Sequence, residues 1–209
     1  MDTSTNTAVL VTPAAAPAAS VAPAPAPAPA GVPAARPRVT IWTDGSSRGN
    51  PGPGGFGAVL YFTDARGELH TRELHDGYRL TTNNRMEMLA VIRALETLKR
   101  ACVVDIHSDS SYVVNAHNQH WIEGWQRKGW KSATKKPVKN IDLWKRLIEA
   151  SQRHTIRYHW VKGHAGIAGN ERCDELATMA ADAPRETQLI DEVFEQEYIA
   201  HTGALPFDV

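Results

Sequence analysis

The octapeptide Val39-Thr40-Ile41-Trp42-Thr43-Asp44-Gly45-Ser46 decides the fold. Its first five residues are β-branched or aromatic, which favours an extended strand, and Asp-Gly-Ser is typical of the turn that ends one. Asp44 is therefore expected at a strand end, which is where α/β folds gather their reactive groups.

Alternating apolar and polar residues predict two more strands after this one, at residues 55–62 and 68–80, joined through 64–67. With the first strand they are expected to form an antiparallel meander. A helix over 83–100 comes next, because apolar side chains recur there at spacings of three and four. The remaining pattern predicts a strand at 103–109, helices at 110–117 and 141–152, a strand at 155–161, and a helix at 171–181 that Asn170 caps and Pro184 ends. This order of elements predicts an α/β fold.

The ends of the chain differ from its centre in composition. Residues 1–36 are mostly Ala, Pro, Thr and Val and contain no Arg before position 36, so we expect a disordered tail rather than an organelle presequence. A catalytic domain is expected at 37–184. Residues 185–209 are a C-terminal extension whose apolar residues, among acids, predict a short amphipathic helix.

Charge and cysteine content limit the possible partners and compartments. The 209 residues have a formal net charge of zero, so any nucleic-acid surface must come from local clustering of Lys and Arg. Two cysteines do not suggest a disulfide framework, and no apolar run approaches the roughly 20 residues of a membrane helix. We expect a soluble protein of the cytoplasm.

The run Gly52-Pro53-Gly54-Gly55-Phe56-Gly57 satisfies the G-x-G-x-x-G pattern of dinucleotide-binding folds. That pattern must open a helix whose amides hold the pyrophosphate, whereas alternating strand residues follow here. These glycines are therefore expected to serve a loop and a close strand entry.

Four carboxylates, Asp44, Glu87, Asp109 and Asp174, each fall at a predicted strand end or in the first turns of a helix. Taken singly, an Asp at a strand end is more often a turn former. If the four converge, they repel one another and would hold protons at neutral pH unless hard divalent cations such as Mg²⁺ neutralise them. Convergence would therefore imply a metal site.

The sequence motifs around these residues resemble those of ribonuclease HI, over about residues 38–183. The matching phrases are Thr43-Asp44-Gly45-Ser46, Asn50-Pro51-Gly52-Pro53-Gly54-Gly55, Thr81-Thr82-Asn83-Asn84-Arg85-Met86-Glu87, Asp109-Ser110, Trp160-Val161-Lys162-Gly163-His164-Ala165-Gly166 and Asn170-Glu171-Arg172-Cys173-Asp174-Glu175-Leu176-Ala177. The resemblance implies an RNase H-like fold, a five-stranded mixed sheet of three antiparallel and then two parallel strands, flanked by helices.

The resemblance also implies an activity, the endonucleolytic hydrolysis of the RNA strand of RNA/DNA hybrids with 5′-phosphate and 3′-hydroxyl ends. Two Mg²⁺ ions, which Mn²⁺ can replace, would be held by Asp44, Glu87, Asp109 and Asp174, with His164 as a mobile catalytic histidine. We expect a monomer without an obligate protein partner.

Residues 121–140 are strongly basic, with three tryptophans among the cations. Such a segment can hold phosphates and sugars, although a solvated basic loop with its tryptophans in the core is the alternative. In the resembling family it grips the DNA strand. The expected contacts here are Trp121, Trp125, Arg127, Lys128, Trp130 and Lys131.

Recognition of RNA requires short polar groups that reach 2′-hydroxyls in a shallow minor groove. The resemblance assigns this work to Gly45, Asn50, Asn83 and Asn84, and phosphate contacts to Thr82 and Arg85. Asn170 is also expected to contact substrate. Ser111 departs from the Gln that many relatives carry after Asp-Ser, which puts one hybrid contact in doubt.

Two rival functions remain. Another nuclease or transferase of the same superfold is disfavoured because Gly45-Ser46 follows Asp44, where proofreading exonucleases carry Asp-x-Glu. A non-catalytic hybrid-binding module is disfavoured because no carboxylate of the set is missing.

Overall fold

Five strands form one mixed sheet in the order β3-β2-β1-β4-β5. The computed structural model describes residues 36–207, so the predicted tail lies, apart from Arg36, outside the described residues. The strands are β1 Arg38–Ser47, β2 Gly52–Thr63, β3 Leu69–Thr81, β4 Val103–Ser108 and β5 Thr155–Trp160. β1, β2 and β3 are antiparallel neighbours, and β4 and β5 run parallel to β1. The predicted fold class is confirmed.

Six α-helices accompany the sheet within the described residues. They are α1 Asn83–Glu96, α2 Ser111–Asn118, α3 Trp121–Arg127, α4 Ile141–Ser151, α5 Ala168–Ala181 and α6 Glu192–Thr202. α1 ends at Glu96 and not at residue 100 as expected. At this end, the Thr97 hydroxyl donates a hydrogen bond to the Ala94 carbonyl. The short helix α3 was not predicted. None of these helices is both long and apolar enough to span a membrane.

The last predicted helix begins earlier than expected. α5 starts at Ala168, so Asn170 lies inside its first turn, and the predicted cap at Asn170 is wrong. Gly169, in the first turn, packs closely on Trp42, since a Cβ at position 169 would lie 2.5 Å from a ring atom of Trp42.

The main core lies between one face of the sheet and helices α1 and α4. Ile41 and Ile106 from the sheet meet Leu95 of α1 and Trp144 of α4 there, all fully buried. α5 covers the opposite face of β1, β2 and β3, where Cys173 and Leu176 pack on Val59.

Glycines of β2 and β3 bring α5 unusually close to the sheet. A Cβ at Gly57 would overlap the Cys173 carbonyl, and one at Gly55 would lie 2.6 Å from the Ala177 carbonyl. The glycine-rich run therefore begins a strand, as expected, and does not open a helix as a dinucleotide-binding motif would. Its glycines also leave room for α5 to pack on the sheet.

The C-terminal extension forms α6 and contacts β3 and α1. Leu189 donates its N–H to the Gly77 carbonyl at 2.7 Å, and Glu195 forms a two-bond ion pair with Arg79 at 2.9 and 2.7 Å. Asp191 and Glu195 are buried, whereas Leu189, Ile190 and Val193 remain exposed. Asp191 and Glu195 therefore anchor this segment together with the buried Leu205 and the half-buried Phe194 and Tyr198.

Candidate active site

Three carboxylates meet at one edge of the sheet. Thr43 of β1 pairs with Ser108 of β4. Asp44 and Asp109 are the residues that follow this pair, so they lie side by side. α1 crosses this edge and adds Glu87 from its first turns. One oxygen from each of Asp44, Glu87 and Asp109 lies within 4.8 Å of the other two.

Burial and mutual repulsion disfavour the charged forms of this cluster. Burial, then the charges of Asp109 and Asp174, raise the pKa of Asp44 to about 7, against a hydrogen bond of 2.7 Å from the Gly45 N–H. Burial, followed by the charges of Asp44 and Asp109, raises the pKa of Glu87 well above its ordinary value.

The donor set fits a hard divalent cation. Asn83 Nδ2 donates to Glu87 Oε1 at 3.4 Å, but Glu87 Oε2 is buried without a hydrogen-bond partner among residues 36–207. A buried carboxylate oxygen without a partner is costly, and a cation shared with Asp44 and Asp109 would compensate it.

Asp174 and His164 stand at the margin of this cluster. Asp174 lies on α5 with its side chain 38% exposed, and His164 Nδ1 is 3.9 Å from its Oδ2. The Asp174 oxygens do not belong to the group of three, although their charge contributes to the raised pKa of Asp44. His164 is exposed and has a left-handed φ of 51°, in a loop between Gly163 and Gly166.

Two further residues surround Asp109. A Cβ on Gly163 would lie 2.5 Å from Asp109 Oδ2, and the buried Asn170 donates its Nδ2 to the same oxygen at 3.4 Å. The Asn170 amide thus faces Asp109. Its expected contact with substrate stays a prediction. Sequence reasoning missed Gly163 as a neighbour of Asp109, although it lies in the quoted His164 motif.

The residues expected to contact RNA gather at the start of α1. Asn50 Oδ1 accepts from the Asn83 N–H at 3.3 Å, which links the β1–β2 loop to the helix. Asn84 is exposed, and Thr82 precedes the helix in an extended conformation. These polar groups adjoin Glu87 and therefore the carboxylate cluster.

Arg85 does not lie with them, and the position of its side chain does not support the expected phosphate contact. Its side chain is buried and forms two-bond ion pairs with Asp191, at 2.6 and 2.8 Å, and with Asp142, at 3.0 and 2.6 Å. Burial alone would lower the pKa of this guanidinium, but the two carboxylates raise it above its ordinary value. Four hydrogen bonds to carboxylates therefore use most of its N–H donors inside the fold.

Residues 121–140 form a basic arm consisting of α3 and the loop that follows it. Trp121, Trp125 and Trp130 are half-buried and pack against the main core, with Trp125 next to Trp144. The cations of the arm are exposed; they are Arg127, Lys128, Lys131, Lys135, Lys136 and Lys139. The tryptophans therefore anchor an arm whose charges face solvent, which is the arrangement that the alternative of a solvated basic loop predicts. The expected contacts of this arm with substrate stay a prediction.

The sequence profile of the RNase H family matches residues 36–182. This chain belongs to the RNase H family. Ribonuclease H of Lachnoclostridium phytofermentans is 57% identical over 146 residues, 69% of this chain and 92% of the relative. Ribonuclease H of Pectobacterium atrosepticum is 58% identical over 149 residues, 71% of this chain and 93% of the relative.

A solved structure agrees with these relatives. LC9-RNase H1, described as a type 1 RNase H with the type 2 active-site motif, superposes with a TM-score of 0.65 at 30% identity, over 82% of this chain and 83% of that one. The chain is thus a ribonuclease H, a hydrolase of a family that generally uses divalent metal ions. The RNase H profile ends at residue 182, so α6 lies outside the matched region.

Proposed function

We propose that this ribonuclease H cleaves the RNA strand of RNA/DNA hybrids internally, with two Mg²⁺ ions, and leaves 5′-phosphate and 3′-hydroxyl ends. The observation that carries the proposal is the cluster of Asp44, Glu87 and Asp109 within the RNase H fold. Mn²⁺ is expected to substitute, because it accepts the same oxygen ligands.

The four carboxylates would divide the metal ligands between them. Asp44 would serve both ions, Asp174 would serve the ion beside the attacking water, and Glu87 and Asp109 would serve the ion beside the leaving 3′ oxygen. Two bound divalent ions supply charge stabilisation at the attacking and leaving oxygens. The half-exposed position of Asp174 suits a ligand that engages fully only when substrate is present.

Other side chains of the protein would orient the metal-binding carboxylates and transfer a proton. Asn83 steadies Glu87 through its amide, and Asn170 does the same for Asp109. His164 is the group that would move a proton or help the product leave, because it is exposed on a loop whose glycines permit it to swing.

Recognition of the hybrid would come from two surfaces. Gly45, Asn50, Asn83 and Asn84 would contact the RNA minor groove beside the carboxylates, and Thr82 a DNA phosphate. The exposed cations of the basic arm would hold the DNA strand farther along the duplex. We propose a monomer acting in the cytoplasm, where the buried free thiols of Cys102 and Cys173 suit a reducing compartment.

The deciding experiment is cleavage of a uniform RNA/DNA hybrid with either strand labelled, beside single-stranded RNA, duplex RNA and duplex DNA. We expect internal cuts in the hybrid's RNA strand alone, with Mg²⁺ and not with chelator. Asp109→Asn should abolish them. Asp105→Asn is the same change four positions earlier, on β4, at a residue that is paired with His159 and lies outside the cluster, and it should cleave normally. Binding of hybrid without cutting would instead favour a hybrid-binding module.

A further inference from the structure

Trp160 ties the end of β5 to the residue that follows β4. The last pair of the ladder is Ser108 with Trp160, and the Val161 N–H still donates to the Ser108 carbonyl at 3.0 Å. The next carbonyl, that of Asp109, lies beyond the ladder and accepts from the Trp160 indole Nε1 at 3.0 Å. A side chain thus replaces the strand partner that this carbonyl has lost.

This contact fixes the main chain of a residue whose carboxylate is also confined. Gly163 closes one side of Asp109 Oδ2, and Asn170 donates to the same oxygen. These two neighbours contact the carboxylate and Trp160 contacts the carbonyl, while one carboxylate oxygen of Asp109 lies within 4.8 Å of oxygens of Asp44 and Glu87.

Hydrophobic burial does not explain the place of Trp160. The residue is 57% exposed, whereas Trp144 in the core is fully buried. Most of the transfer free energy of a tryptophan is therefore not used at position 160. The interaction that remains is the hydrogen bond to Asp109.

We propose that Trp160 is a positioning residue that presents Asp109 to the divalent ions. The inference rests on the proposed function, because it takes Asp109 as a metal ligand. Partners that orient metal ligands typically contribute 10–100-fold to metal affinity or activity, so Trp160→Phe, which keeps an aromatic ring and removes the N–H, should weaken Mg²⁺ binding about tenfold.

The test is an NMR titration of the full chain with Mg²⁺ in the absence of substrate, which reports the Mg²⁺ concentration at half-saturation. Tyr112→Phe is the matched control, because it removes the hydroxyl that accepts the Trp144 indole N–H at 3.0 Å. We expect a weaker half-saturation for Trp160→Phe with little change in melting midpoint, and for Tyr112→Phe a lower melting midpoint with unchanged Mg²⁺ binding. Equal Mg²⁺ binding by Trp160→Phe and the unaltered chain would overturn the proposal, as would an equal loss in both variants.

Hybrid cleavage supplies an independent second readout. With a positioning role, raising the Mg²⁺ concentration should restore kcat in Trp160→Phe, and KM for the hybrid should not change. If the unaltered chain binds Mg²⁺ but cuts no hybrid, the proposed function fails while the titration still decides the role of Trp160. If the unaltered chain cuts and Trp160→Phe matches it at every Mg²⁺ concentration, only the inference about Trp160 fails.

Discussion

Gly45 lies directly against the main chain of Glu87. A Cβ at position 45 would overlap the Glu87 nitrogen and would lie 2.7 Å from the Met86 carbonyl carbon. Since Asp44 precedes Gly45 on β1 and Glu87 lies on α1, this contact sets the separation of two carboxylates of the cluster.

Replacing Gly45 with Ala should therefore damage both stability and activity. The overlapping atoms are main chain and cannot rotate away, so β1 and α1 must separate, at a cost of about 1–3 kcal/mol. We expect kcat to fall at least about tenfold, since a displacement of 1 Å at a catalytic group can cost a hundredfold. Gly124→Ala is the control, because a Cβ there meets nothing within 4 Å. A Gly45→Ala enzyme with full activity would show that this contact does not set the cluster.

Without metal, the stability of the enzyme should fall as pH rises from about 4 to about 7. Burial and then the charges of Asp109 and Asp174 raise the folded pKa of Asp44 from 3.8 to about 7. Over that range the unfolded chain releases this proton while the folded chain keeps it, so rising pH favours unfolding. Asp44→Asn should flatten the dependence and, at pH 8 in chelator, be more stable by on the order of a few kcal/mol. Denaturant unfolding across pH measures both; a less stable Asp44→Asn would mean that Asp44 has a structural role.

Asp191→Asn should destabilise the fold strongly, because it leaves the buried Arg85 with only Asp142 as an ionic partner. Removal of one partner from a buried ion pair costs about 3–5 kcal/mol. The exposed pair of Arg48 with Asp182 is the comparison, and Asp182→Asn should cost less than about 1 kcal/mol. Equal losses in the two variants, measured by urea unfolding, would contradict the difference in burial.

Neutralising the basic arm should weaken hybrid binding without changing the chemical step. In Lys128→Gln/Lys131→Gln, two exposed charges are lost. The slope of log affinity against log salt should become shallower by about 0.7–0.9 per phosphate contact removed. The control is Lys99→Gln/Arg100→Gln, which removes two exposed charges before β4 begins, at the opposite end of that strand from Asp109. Hybrid-binding titrations at several salt concentrations distinguish the two double variants. An unchanged slope for Lys128→Gln/Lys131→Gln would show that these two lysines do not contact the hybrid.

Local pattern predicted the elements of this fold well, because strand alternation, helix periodicity and turn residues act over a few positions. The meander, α1 and the position of Asp109 just after β4 all follow from such signals. The expected turn at Asp44-Gly45-Ser46 is wrong, because β1 continues to Ser47 and Asp44 pairs with Gly57 of β2. The quoted motifs added the assignments of Glu87, Asp174 and His164, which periodicity alone does not provide.

Contacts between distant residues escaped prediction. Arg85 was expected to face phosphate, but its partner Asp191 lies 106 positions away in a segment without a recognised motif. The contact of Trp160 with Asp109 was missed for a similar reason, since the two residues are 51 positions apart. The first turn of α5 packs on β1 through Gly169 and Trp42, another contact that no local pattern encodes.

Gly57 is the β2 partner of Asp44, and it touches α5 at Cys173, the residue before Asp174. Because Gly57 has no side chain, α5 can pack directly on β2 at this point. A side chain at position 57 would push α5 away from the sheet and would increase the distance between Asp174 and Asp44. A position without functional atoms can in this way set the geometry of a catalytic centre as firmly as the groups that react.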